Sequence, residues 1–349
     1  MTRLIDLNPP VKYMEEFLRE IAMGFERAQV LFTAFELGIF TKLEKPMTSE
    51  ALMREMGLNS EITVRFMDVL TAMNLLCKKG EHYQTAPELV PFLVESEPYF
   101  SRYLKSAVRE RKIWMNLTEA LVEEPLSNPE KEKFAYTQDS LEWTARDCMH
   151  GRLQKTLKLV SDLPEFKKAR SLIDLGGGHG LFAIGFAQEN SDLEAFVYDR
   201  PEITELTRQY VEKYGVQERV KVLSGDYLHE DFGNGYDIVF EALSLEGGPE
   251  EAKILYQKVA EALKPGGLFI TQLFILDNSE TSPLPTLTLD LREKITGHRR
   301  LHLMTNAALF ELFNKVGLSG EQVLDISMGA NLPMRMVIAR KIQERMEKT

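Results

Sequence analysis

Residues 171–180 read SLIDLGGGHG, a short apolar run, Asp174, and four glycines in five positions. Ordered glycine is entropically costly, so this density implies a ligand that must approach bare backbone. Two further acids follow at suggestive positions. Asp199 closes the apolar run AFVYD, 23 residues beyond Gly176, and Asp226 closes the next run in LSGDYL. A carboxylate at the first of these places suits a pair of ribose hydroxyls, and one at the second suits an adenine amino group. Asp174, Gly176, Gly177, Gly178, Asp199, Arg200, Asp226 and Tyr227 are therefore the candidate cofactor-binding set. Two ligands fit such a set, a dinucleotide and S-adenosylmethionine. The dinucleotide fingerprint G-x-G-x-x-G needs a third glycine where this chain has Leu181. Nor does it call for the later ALKPGGLFI of residues 262–270.

These residues need a frame that brings them to one edge. From residue 171 onward the runs SLIDL, EAFVYD, RVKVLSGD, YDIVFEAL and GLFITQLFIL read as strands. Residues 181–190, 202–214, 250–263 and 305–316 carry helical patterns between or after them. Strand–helix alternation of this kind predicts an α/β fold with a doubly wound, mostly parallel sheet, which binds ligands at the carboxyl ends of its strands.

The first half has a different texture. Residues 13–45 show a helical apolar pattern through Phe17, Ile21, Phe25, Ala28 and Leu31, continued by Ala34–Leu43. Thr48 or Ser49 then caps a helix, Gly57 turns, a second helix starts near Ser60, and a hairpin turns at Lys79-Gly80. That order is a winged helix-turn-helix. Its usual partner is DNA, but residues 1–100 hold ten Lys and Arg against fifteen Asp and Glu, a net of −5. The second helix offers Arg65 among Val, Phe, Met and Leu, which favours protein over DNA as its partner. Residues 100–165 read as helical around a polar loop at 123–134.

The whole chain of 349 residues, 44% hydrophobic with a net charge of −11, is that of an ordinary globular protein large enough for two domains. The longest apolar run, LFITQLFIL, is too short to span a bilayer. The opening MTRLIDLNPP lacks the apolar region of a signal peptide, so the expected location is cytoplasmic. Cys77 and Cys148 have no metal-ligand spacing around them and build no disulfide framework. Neither metal, membrane nor nucleic acid is expected as a partner.

Taken together, these pieces resemble the class I S-adenosylmethionine-dependent methyltransferases. More closely, the chain resembles the small-molecule O-methyltransferases with an N-terminal winged-helix dimerisation domain, the plant caffeate type and its bacterial relatives. FTAFELGIFTKL, the wing ending HYQTAP, Trp114, PEFKKARSLIDLGGGHG, YDRPEI, GDYL, ALKPGG and FNKVGL all fall in that family's order. The resemblance implies a Rossmann-like methyltransferase sheet over residues 166–349, substrate-pocket helices over 106–165, and a winged-helix dimerisation domain, expected as all-helical in the main, over 1–105. It also implies a homodimer with intertwined N-terminal helices that close part of the partner's pocket, and a small, aromatic or conjugated acceptor. Gly176, Gly177 and Gly178 would face the methionine moiety, Asp199 the ribose, and Asp226 with Tyr227 the adenine. Trp114, Trp143, Met149, His150 and Asn331 would line the acceptor pocket.

The chain departs from the family in two places. A Lys on the fourth strand is replaced by Ala242. The catalytic His that follows that strand in a His-Asp-Trp run is replaced by Glu246, with Gly247 and Gly248 after it. Where the family places a Glu that orients its His, this chain reads TGHRRLHLMT, with His298 and His302. Acid and imidazole thus exchange places: His302 or His298 would be the base and Glu246 its orienting acid. Alternatives kept open are an acceptor that needs no side-chain base, methylation at carbon, nitrogen or sulfur, non-methylating chemistry on the bound sulfonium, and a cofactor-sensing regulator.

Overall fold

The computed structural model describes residues 12–97, 99–101, 103–122, 138–245, 247–295, 303–327 and 333–342. It divides into two units, Met1–Met115 and Asn116–Thr349.

The first unit opens with the long helix α1 (Lys12–Glu36), followed by α2 (Ile39–Lys42). The single helical pattern read through Leu43 is broken at Leu37-Gly38, where Gly38 takes a left-handed conformation and starts α2. Then come β1 (Met47–Thr48), α3 (Ser49–Met56), α4 (Ser60–Ala72), the hairpin β2 (Leu76–Lys79) and β3 (His82–Thr85), α5 (Val90–Leu93) and α6 (Tyr103–Met115). Thr48 caps α3 by accepting from the Ala51 N–H, and Asn59 caps α4 by accepting from Glu61 and Ile62. The wing is more than a hairpin. β1 pairs with β3, giving a three-stranded sheet in an otherwise helical unit. Ile39, Phe40, Leu43, Leu52, Met67, Leu70 and Tyr83 form the buried core. Tyr83 donates to Asp68, which also pairs with Lys78, so the wing is pinned to α4.

The first half of the apolar stripe of α1 is not part of that core, although Leu31, Ala34 and Phe35 nearer its end are. Met14, Phe17, Leu18, Ile21 and Phe25 recur at helical spacing and are each more than half exposed. On α4, Ile62 is 64% exposed, so the helix that would read a DNA groove shows a hydrocarbon surface instead.

The second unit begins with α7 (Leu117–Val122), α8 (Gln138–Met149), α9 (Arg152–Ser161) and α10 (Pro164–Lys168). The alternating part follows: β4 (Ser171–Leu175), α11 (Leu181–Glu189), β5 (Glu194–Asp199), α12 (Pro201–Lys213), β6 (Val220–Ser224), β7 (Tyr236–Ala242), α13 (Pro249–Ala262) and β8 (Leu263–Leu273). It closes with β9 (Ile275–Leu276), α14 (Leu284–Ile295), β10 (Met304–Thr305), α15 (Asn306–Lys315), β11 (Leu318–Asp325) and β12 (Arg335–Lys341). Seven strands form one sheet in the order β11-β12-β8-β7-β4-β5-β6. Neighbours from β8 to β6 run parallel, and β12 is antiparallel to both β8 and β11.

Burial on both faces explains the near-continuous apolar runs of these strands. On one face Leu172, Ile238 and Phe240 pack against α9, α10 and α11; on the other Ile173, Val239 and Phe269 pack against α13 and α15. The Pro-Gly-Gly of ALKPGGLFI lies inside β8. The pairing with β7 shifts register there, between Tyr236 and Ile238.

Candidate functional site

The chain leaves β4 for β5 and β6 on one side and returns to build β7 and β8 on the other. The ends of β4 and β7 are therefore the topological switch point, where an open sheet leaves a crevice. The glycine run lies there, between β4 and α11.

Two glycines in this run are required by what surrounds them. A Cβ on Gly176 would lie 2.2 Å from the Ser244 Cβ, and the residue's φ is +63°. A Cβ on Gly177 would lie 2.8 Å from the Asp174 carboxyl. Either side chain would displace the backbone that forms the crevice floor. The loop is held by Gly180 N–H donating to the Gly177 carbonyl at 2.8 Å and by Thr207 Oγ1 donating to the Gly178 carbonyl at 2.6 Å. His179 is buried, and its Nδ1 accepts from the Leu181 N–H at the start of α11. Burial, helped by the Arg152 charge, pulls its pKa down to about 3, so the ring is neutral.

Asp199, at the end of β5, accepts from the Gly178 N–H at 2.8 Å and the Arg200 N–H at 2.7 Å. These bonds fix the carboxylate beside the glycine loop and leave lone pairs for ligand hydroxyls. Burial raises its pKa, and the two N–H groups offset part of that rise. Asp174 is fully buried within β4, and neither of its carboxyl oxygens has a hydrogen-bond partner. Burial first, then the charges of Asp199 and Glu241, raise its pKa well above the ordinary carboxylate value.

Asp226 stands two residues past the end of β6. Its carboxylate accepts from the Leu228 N–H and meets His229 Nδ1 at 2.8 Å. Burial pushes its pKa up, but the His229 and backbone hydrogen bonds prevail and hold it low. Tyr227 donates to the Ser244 carbonyl at 2.6 Å, tying the end of β6 to the segment after β7.

That segment contains a residue the sequence reading passed over. Glu241, buried in β7, accepts from the Ser244 N–H at 2.6 Å, Ser244 Oγ at 2.9 Å, the Leu245 N–H at 3.2 Å and Thr271 Oγ1. Ser244 Oγ also reaches the Leu175 carbonyl at 3.0 Å. Glu241 thus folds the chain leaving β7 back over β4, with Leu243 at a φ of +58°. Its signal was the acid that interrupts the apolar run IVFEAL. Ala242, in the position of the absent Lys, packs against the apolar core.

The remaining candidates are placed unevenly. Trp143 and Met149 are half-buried on α8 and His150 half-buried just after it, whereas Trp114 belongs to the first unit and is 37% exposed. Glu246, His298, His302 and Asn331 lie outside the described residues. Among the described residues no cluster of metal-ligating side chains occurs, and no helix is long and apolar enough to cross a membrane.

The cradle supplies bare backbone, a ribose-type carboxylate and buried acids without a counter-ion, which suits a nucleoside ligand that carries positive charge. Comparison with known proteins agrees with this chemistry. Residues 19–89 match the O-methyltransferase dimerisation domain and residues 114–312 match the O-methyltransferase domain. An uncharacterized protein of Methanocaldococcus jannaschii is 30% identical, with 78% of this chain and 74% of that one covered. The 3-hydroxy-5-methyl-1-naphthoate 3-O-methyltransferase of Streptomyces sahachiroi is 22% identical over 79% and 82% of the two chains. An O-methyltransferase family protein from Burkholderia thailandensis shares the fold, with a TM-score of 0.75, 19% identity and 99% of both chains covered. The chain belongs to the O-methyltransferase family and is an S-adenosylmethionine-dependent methyltransferase.

The orphaned Asp174 generates a stability prediction. A carboxyl whose pKa is raised by folding contributes stability below its unfolded pKa, and that contribution is lost as pH rises toward the folded value. Asp174→Asn should therefore raise the unfolding free energy of the ligand-free protein at pH 8 relative to the parent. The gap should shrink toward pH 4. Urea unfolding at the two pH values checks both the sign and the trend.

Proposed function

We propose that this methyltransferase acts on a hydroxyl of a small aromatic acceptor, as a homodimer in the cytoplasm. The observation that carries the reading is the crevice at the β4–β7 switch point, with its bare glycine floor and the Asp199 carboxylate fixed beside it. The naphthoate relative, whose name specifies O-methylation of an aromatic acid, supports the choice of acceptor and of oxygen. Bound S-adenosylmethionine supplies a methyl group on a sulfonium, a good leaving group.

In this reading the chain's own residues divide the work. Gly176, Gly177 and Gly178 let the methionine portion lie on backbone, Asp199 with Arg200 holds the ribose end, and Asp226 with Tyr227 the adenine end. Asp174 sits beneath the glycine floor, where a bound cation would favour its ionised form. Trp143, Met149 and His150 line the acceptor side. His302 takes the acceptor's hydroxyl proton, and Glu246 orients the imidazole and stabilises its charged form; His298 is the second candidate base. Placement of the acceptor oxygen at attack distance supplies much of the remaining acceleration.

The exposed stripe Met14, Phe17, Leu18, Ile21 and Phe25 on α1 is the reading's basis for dimerisation. It lies at and just before the start of the matched dimerisation domain. The free thiols of Cys77 and Cys148 suit a reducing compartment.

His302→Ala should reduce turnover by on the order of 10²–10⁴-fold while leaving S-adenosylhomocysteine affinity nearly unchanged. Glu246→Gln should also lower turnover and move the rising limb of the pH–rate profile to lower pH, because the imidazolium loses its counter-charge. Parent-like rates in these variants and in His298→Ala would remove the side-chain base from the mechanism. For assembly, light scattering should show a dimer for the parent and a monomer for Ile21→Glu; a monomeric parent would contradict the proposed interface.

A further inference from the structure

The acceptor side of the second unit holds a basic corner that none of the roles above uses. Arg152 and Lys155 are three residues apart on α9, hence on one helix face. Both reach toward the ends of the segment that joins β11 to β12. Arg152 Nη1 lies 3.7 Å from Met334 Sδ, and Lys155 Nζ donates to the Ser327 carbonyl at 3.2 Å. Arg335 adds a third cation. It donates to Ser327 Oγ and the Met334 carbonyl, and it pairs with Asp325 at 2.9 Å.

Charge in this corner is unbalanced. Asp325 pairs with Arg335, accepts from the Ser327 N–H and also feels the Lys155 charge. No described carboxylate forms an ion pair with Arg152 or Lys155. Arg152 Nε is buried without a hydrogen-bond partner. The guanidinium instead lies over the Phe182 ring at 5.5 Å. That contact steadies one face of the plane but satisfies none of the in-plane N–H donors. A buried donor on a charged group left unmet is unfavourable unless a ligand completes it.

Position links the corner to the reaction. Thr156, on α9 next to Lys155, accepts from Gln272 Nε2 at 2.7 Å. Gln272 pairs directly with Ala242 at the end of β7. The corner therefore stands at the carboxyl edge of the sheet, beside the strand from which the chain runs on to Glu246. It lies on the sheet face occupied by α9 and α11. The protein as a whole carries a net charge of −11, so an unpaired basic pair at this edge is not a general property of its surface.

We propose that Arg152 and Lys155 seat a carboxylate of the methyl acceptor, making the preferred acceptor an aromatic acid instead of a neutral phenol. This rests on the methyl-transfer reading given above. The planar guanidinium presents its donors to a carboxylate in a fork, with Lys155 adding a point charge. Asp174 and Glu241 lie on β4 and β7, and Arg152 reaches the same edge from α9, where its charge acts on His179 of the glycine loop.

Calorimetry tests this on the full-length protein saturated with S-adenosylhomocysteine. The probes are hydroxybenzoic, hydroxycinnamic and hydroxynaphthoic acids, each against its own methyl ester. The parent should bind at least one acid about ten- to a hundredfold more tightly than its ester, as expected for charge-assisted hydrogen bonds. Arg152→Met and Lys155→Met should each reduce that preference, with S-adenosylhomocysteine affinity unchanged. Arg152→Lys, which keeps the charge but loses the fork, should fall between Arg152→Met and the parent. A parent with no preference for acids, or variants that lose acid and ester equally, overturns the assignment while methyl transfer stands. Failure of the parent to bind S-adenosylhomocysteine would overturn the methyl-transfer reading along with it.

Discussion

Three carboxyl groups, Asp174, Asp199 and Glu241, lie close together at the ends of adjacent strands with little water around them. Burial is the main influence raising the pKa of each. The Arg200 charge favours the ionised form of Asp199, but hydrogen bonds do most of the compensation. Asp199 is satisfied by two backbone N–H groups of the glycine loop and its neighbour. Glu241 is satisfied by the segment that leaves β7 and by Thr271 of β8. Asp174 is left without a partner. A methyl donor whose reacting sulfur is cationic would favour the ionised form of these acids, so its binding would be coupled to their protonation. The shape of the site follows from this arrangement, since the loops that satisfy two of the acids are also the loops that form the crevice.

Much of the donor site was legible because it depends on local pattern. A glycine cluster after one apolar run and acids closing the next two can be read from residue types alone. Strand–helix alternation then brings them to one edge, and the winged-helix order was equally readable from Thr48, Gly57 and Ser60. What could not be read depends on contacts across the fold. Glu241 looks like an interruption of a strand until Ser244, Leu245 and Thr271 are seen around it. The break between α1 and α2 at Gly38 was hidden because apolar spacing continues across it. The register shift near Pro265 arises from pairing with β7, which composition does not reveal. Arg152 and Lys155 carry no pattern in the sequence, and only the fold brings them to the ends of β11 and β12. Proposed base residues Glu246, His298 and His302 belong to segments outside the described residues, so their roles rest on sequence alone.

The central claim, that the strand-end carboxylates and glycine floor form a site for a sulfonium-bearing nucleoside, is tested most directly by calorimetric titration of the ligand-free protein. S-adenosylmethionine and S-adenosylhomocysteine should each bind, NAD should not, and Asp199→Ala should weaken the first two by about ten- to a hundredfold, the value of charge-assisted hydrogen bonds to the ribose. Tight binding of NAD without measurable binding of either sulfur nucleoside, or unaltered affinity in Asp199→Ala, would contradict the account.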